Sequence, residues 1–130
     1  FKSGSVSVVW AGRWSFKAYN WDECTFDYGI APGPVKNATD PAFTTTSYVG
    51  ISIASTCQYP GVAYKFLEYL LTSGVRQEIR NGNSFNVPAN KTIASSEAYL
   101  NPEDQTEKKL NNYFYEMTSI AEPLKLPCKE

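Results

Sequence analysis

The sequence predicts a mixed α/β fold in which short strands come first and helices follow. Two observations carry this. Residues 5–54 hold alternating or continuously apolar stretches, rich in Val, Ile, Thr and Tyr and bounded by Gly and Pro. Between Pro60 and Ile120, apolar residues recur at helical spacing. Strands followed by helices, with no internal repeat and no linker between them, belong to a mixed class.

The elements follow in order. Ser5-Val6-Ser7-Val8-Val9-Trp10 alternates and then turns fully apolar, as a strand entering a core does. Ala11-Gly12 breaks it, and Arg13 to Tyr19 reads as a short helical turn carrying Trp14 and Phe16. Phe26 to Ala31 is a second short strand, stopped by Pro32-Gly33-Pro34 and a loop through Pro41. Thr44 to Ala54 is a third, dense in β-branched residues. Pro60 suits a first helical position, and a helix from Pro60 to Thr72 would turn Val62, Phe66 and Leu70 to the core. Val75 to Arg80 is a short helix halted by Asn81-Gly82-Asn83. Asn101 as cap, Pro102 in the first turn and Glu103-Asp104 at the positive end predict a helix over Asn101–Ser119. Its stripe is Leu110, Phe114 and Met117, and Pro123 and Pro127 stop any continuation.

Composition narrows the function classes. At 130 residues and 42% apolar content, the chain can bury a core without staples. A net charge of −1 with no basic cluster argues against nucleic acid and against a charged membrane surface. There is no histidine, which removes the usual Ser-His and Cys-His activation and the commonest metal ligand. Cys24, Cys57 and Cys128 are odd in number and far apart, so they mark neither a zinc site nor a redox pair. Asp22, Glu23 and Asp27 form an acidic group that reads as a solvated loop rather than a hydrolytic pair. Asn37-Ala38-Thr39 and Asn90-Lys91-Thr92 fit the short glycosylation pattern. No apolar run is long enough to cross a bilayer. Phe1 leads directly into a predicted strand, as an internal piece of a longer polypeptide would.

Three stretches in this order carry a resemblance. The first runs Phe1-Lys2-Ser3-Gly4-Ser5-Val6-Ser7-Val8-Val9-Trp10-Ala11-Gly12-Arg13-Trp14: a phenylalanine, a glycine, an apolar strand, then glycine-x-tryptophan. The second is Phe26-Asp27-Tyr28-Gly29-Ile30-Ala31-Pro32-Gly33-Pro34, a strand ending in a proline loop. The third joins the strand Tyr48 to Ala54, the helix Ala63-Tyr64-Lys65-Phe66-Leu67-Glu68-Tyr69-Leu70, and a loop from Gly82 to Pro88. Together they resemble the sugar-type solute-binding proteins of ABC transporters, the maltose-binding class.

The resemblance implies a piece of a two-lobed type II periplasmic-binding fold that closes like a hinged clamp. Residues 1–47 would belong to the second lobe and 48–54 to a hinge-crossing strand. Residues 60–130 would be helices of the first lobe and C-terminal region. It further implies a non-enzymatic role outside the cytoplasmic membrane, periplasmic or at the cell surface, lipid-anchored or free. The partners would be a sugar or oligosaccharide and a membrane permease, with no cofactor. Half a clamp would expose apolar surface and favour self-association.

Trp14, the tryptophan of glycine-x-tryptophan, would stack on a sugar ring, with Gly12 letting the backbone approach. Arg13 would fork onto hydroxyls or an acidic sugar, against the plainer reading of a surface charge. Trp10 would join the site or pack in the core, and Tyr48 would contact ligand from the hinge or serve its strand. A glycan-acting enzyme and an interaction module with purely structural aromatics are the rival functions.

Overall fold

The two predicted helices with the clearest start signals, at Pro60 and at Asn101, are where the chain is most regular. A computed structural model describes residues 1–47, 49–82 and 84–123. It shows a mixed helix and strand protein. Among the described residues there are six α-helices: α1 (Trp14–Ala18), α2 (Pro60–Tyr69), α3 (Val75–Arg80), α4 (Lys91–Ala94), α5 (Glu97–Leu100) and α6 (Gln105–Met117). A π-helical turn over Leu70–Gly74 fuses α2 to α3, and a 3-10 turn spans Trp21–Glu23. Strands β1 (Thr44–Thr46) and β2 (Ala121–Pro123) pair in parallel, Thr44 beside Ala121 and Thr46 beside Pro123.

The strand predictions need correction. Residues 5–10 and 26–31 form no strand, and the third predicted strand shrinks to Thr44–Thr46. β propensity reports how well a side chain fits a half-buried pleated surface, and no neighbouring strand supplies that surface. Val8, Trp10 and Val49 are exposed in consequence. Tyr48 lies outside the described residues. Pro123, read as a helix stop, ends a strand, a place open to proline because a two-stranded sheet is all edge.

The long helix starts later than predicted. Asp104 takes an extended backbone, and its Oδ1 accepts the amide of Glu107 at 2.7 Å, so α6 begins at Gln105. Asn101 instead donates its side-chain amide to Glu97 at 2.7 Å. Leu110 is buried, and Phe114 and Met117 are half-buried, in line with the stripe.

α6 ties two apolar clusters together. Leu110 joins Phe16 and Trp21, with Phe1, Tyr28 and Phe114 packed around them. Tyr115 packs on the second cluster, Ile79, Ile93 and Tyr99. The Phe16 and Trp21 rings meet edge to face at 4.6 Å, a favoured aromatic geometry.

α2 departs from expectation. It buries none of its residues, and Phe66 is 59% exposed. Phe66→Ala should therefore cost less than about 1 kcal/mol, as surface changes do, rather than the several kcal/mol of a core cavity. An unfolding free energy from urea titration lowered by several kcal/mol would return Phe66 to the core.

Candidate functional site

Residues 10–14 run along the wall of an open concavity of about 2380 Å³. Ordinary small-ligand pockets hold roughly 300–1,000 Å³, so this is a broad cleft. Trp10, Gly12, Arg13, Trp14, Phe85 and Tyr113 all line it.

Trp14 opens α1 and is 46% exposed, its ring 5.8 Å from that of Tyr19. The indole folds back over Gly12. A Cβ at position 12 would stand 2.8 Å from its Nε1 and 2.9 Å from its Cδ1. Gly12 thus makes room for the Trp14 ring itself, a local reason for the glycine-x-tryptophan spacing.

Trp10 is not a core residue. It is 63% exposed, and its ring lies across Gly33, where a Cβ would come within 2.7 Å of Cη2. The Gly33 amide bonds the Phe43 carbonyl at 2.9 Å, which holds that loop beneath the indole. The cleft wall therefore carries two exposed indoles, each seated on a glycine. Trp21, by contrast, is buried in the aromatic cluster.

Arg13 is neither a surface charge nor an open fork. It is 3% exposed and turned inward. Its Nη2 donates to Glu107 Oε2, and Nε and Nη2 donate to Asn111 Oδ1 at 3.2 and 3.0 Å. Lys17 reaches the other oxygen of Glu107 at 2.8 Å. Asn111 donates onward to the Tyr99 carbonyl at 2.8 Å. The network binds α1, α5 and α6 together through Arg13, the residue before Trp14.

Tyr99 sits over this network, fully buried. Its hydroxyl lies toward Ser84 and Arg13 but makes no well-formed hydrogen bond, and Arg13 Nη1 likewise has no partner among the described residues. Burial pushes the Tyr99 phenol up to about 12, against the opposing pull of Arg13 and Ser84. Burial also raises Tyr28 and Tyr113. The sign of the consequence is fixed. Between about pH 10 and 12 the unfolded phenol ionises while the folded one keeps its proton, so stability falls as pH rises, by at most ~1.4 kcal/mol per unit. Tyr99→Phe should flatten that alkaline slope and leave neutral stability unchanged or higher, because it deletes an unsatisfied buried hydroxyl. Urea midpoints at neutral and alkaline pH check both parts; an unaltered slope would contradict them.

Sequence reasoning missed Lys17, Tyr99, Glu107 and Asn111. One local signal existed. Asp104-x-x-Glu107 has the form of a capping pair, and Asn111 follows Glu107 by four residues, on the same helix face. Of the two glycosylation-like asparagines, Asn90 is occupied as the cap of α4, accepting from Thr92 and Ile93. No family model, curated protein or solved structure matches the chain.

Proposed function

We propose that the chain is the ligand-contacting part of an extracytoplasmic solute-binding protein that hands a sugar or oligosaccharide to an ABC importer. The observation that carries this is the half-exposed Trp14 indole on the wall of a wide cleft, next in the chain to the buried and paired Arg13. Sugars present apolar C–H faces edged by hydroxyls, and a fixed indole covers such a face while the hydroxyls keep their hydrogen bonds. An exposed ring at this position is what a saccharide platform needs. Trp10 offers a second platform on the same wall. The role is binding without turnover. In the proposed two-lobed parent, the cleft would close between the second-lobe wall that carries Trp14 and the opposing first lobe.

Calorimetric titration of the chain with a panel of neutral oligosaccharides tests the reading. A single wall should bind weakly, with Kd in the millimolar range, about −4 kcal/mol. No heat with any sugar at tens of millimolar would remove carbohydrate binding. Turnover of a glycan, lost on mutating Asp22, Glu23 or Asp27, would favour the enzymatic rival.

A further inference from the structure

We infer that the outer face of α2 is a self-complementary surface on which a second copy of this chain docks antiparallel. The starting point is a helix that should not stand alone. α2 has ten residues and buries none of them. The π turn carries α2 on into α3, where Ile79 is buried, but along α2 itself nothing among the described residues covers the outer side chains, and helices draw most of their stability from packing an apolar face.

With 3.6 residues per turn, Ala63, Leu67 and Leu70 share the inner, half-buried side. Lys65 and Glu68 lie at the centre of the opposite side, three residues apart and both exposed. Val62 and Tyr69 flank them on one edge, Tyr64 and Leu71 on the other, and all four are exposed.

This arrangement matches its own reversal. An antiparallel two-fold axis passing between Phe66 and Leu67 sets Lys65 against Glu68 of the second copy, and does so twice. The same axis sets Val62 on Tyr69 of the second copy, within about 3 Å along the helix at 1.5 Å rise per residue, and brings Tyr64 toward Leu71 within the π turn. Unlike charges meet at the centre and apolar side chains meet at both edges, as an isologous two-fold contact requires. The apolar area extends past the helix. Tyr64, Leu67 and Leu71 form one wall of a groove of about 510 Å³ whose other wall is Ile51 and Ile53. Lys65, Tyr69 and the other central residues do not line the Trp14 cleft, so pairing leaves the cleft open.

Sedimentation equilibrium from tens to hundreds of micromolar, with a far-UV spectrum of each variant, tests this by charge reversal. The chain should sediment as a reversible dimer. Lys65→Glu and Glu68→Lys should each weaken association at least tenfold, because each sets like charges together twice. The double variant Lys65→Glu/Glu68→Lys rebuilds the pair in reverse and should restore the dimer. A wild-type monomer throughout would overturn the inference and leave the face to a different protein. Single variants as dimeric as wild type, or a double variant no better than the singles, would equally overturn it.

Discussion

Glu107→Ala should destabilise the chain by roughly 3–5 kcal/mol, the usual cost of leaving one partner of a buried pair unmatched. The Glu107 carboxylate faces Arg13 Nη2 on one oxygen and Lys17 on the other. Lys17 is partly exposed and can turn to water. Arg13 is buried, so its charge would remain without a counterion. Against a typical total of 5–15 kcal/mol, that loss decides whether the chain folds at ambient temperature. Glu107→Gln keeps shape and one acceptor and should cost less. The paired change Arg13→Met/Glu107→Leu removes both charges and should recover most of the stability, since apolar replacements of buried pairs are often neutral or better. Urea unfolding of all three variants separates a lost charge partner from a lost shape. A Glu107→Ala protein within about 1 kcal/mol of wild type would mean that the pair is not buried as described.

In the intact two-lobed parent proposed above, Trp14→Ala is expected to weaken oligosaccharide affinity about ten- to a hundredfold. The estimate takes ring stacking at roughly 1–3 kcal/mol, with each 1.4 kcal/mol worth a factor of ten. Stability should change little, because the ring is half-exposed and its main contacts are Gly12 and Tyr19. Trp14→Phe should keep part of the affinity, since a smaller apolar face remains. Calorimetric titration beside a melting curve distinguishes the outcomes. Unchanged affinity would take Trp14 out of the site. Lost affinity with a collapsed melting temperature would make the ring structural.

Helix starts were legible because their causes are local. Pro60 opens α2 as read, and α6 does have a side-chain cap, though it is Asp104 and not Asn101, bonded to a residue three positions on. The same local logic misplaced the start of α6, because Asn101 and Asp104 are both competent caps and only packing chose between them. Strands were poorly legible because a strand is a pair. Thr44–Thr46 pairs with Ala121–Pro123 from the far end of the described chain, and nothing near Thr44 announces that partner. The apolar stripe of α2 stated which side is apolar, not whether anything covers it.

At the site, glycine-x-tryptophan was visible and its local cause was not. Gly12 is small because the Trp14 ring folds onto it. Arg13 was misread because its partners, Glu107 and Asn111, lie on a helix more than ninety positions away. Sequence separation hides a buried ion pair as completely as it hides a strand partner.

The indole N–H resonances offer the most direct test, because the three tryptophans differ in setting. Trp10 and Trp14 stand exposed on the cleft wall, and Trp21 is buried in the aromatic cluster. The measurement is a nitrogen–proton correlation spectrum followed through titration with a binding oligosaccharide, with the Trp14 signal assigned by its loss in Trp14→Phe. The account predicts that the Trp14 signal moves saturably with sugar, that Trp10 follows it, and that Trp21 stays in place. A stationary Trp14 signal at saturating sugar, or a shift confined to Trp21, would contradict it.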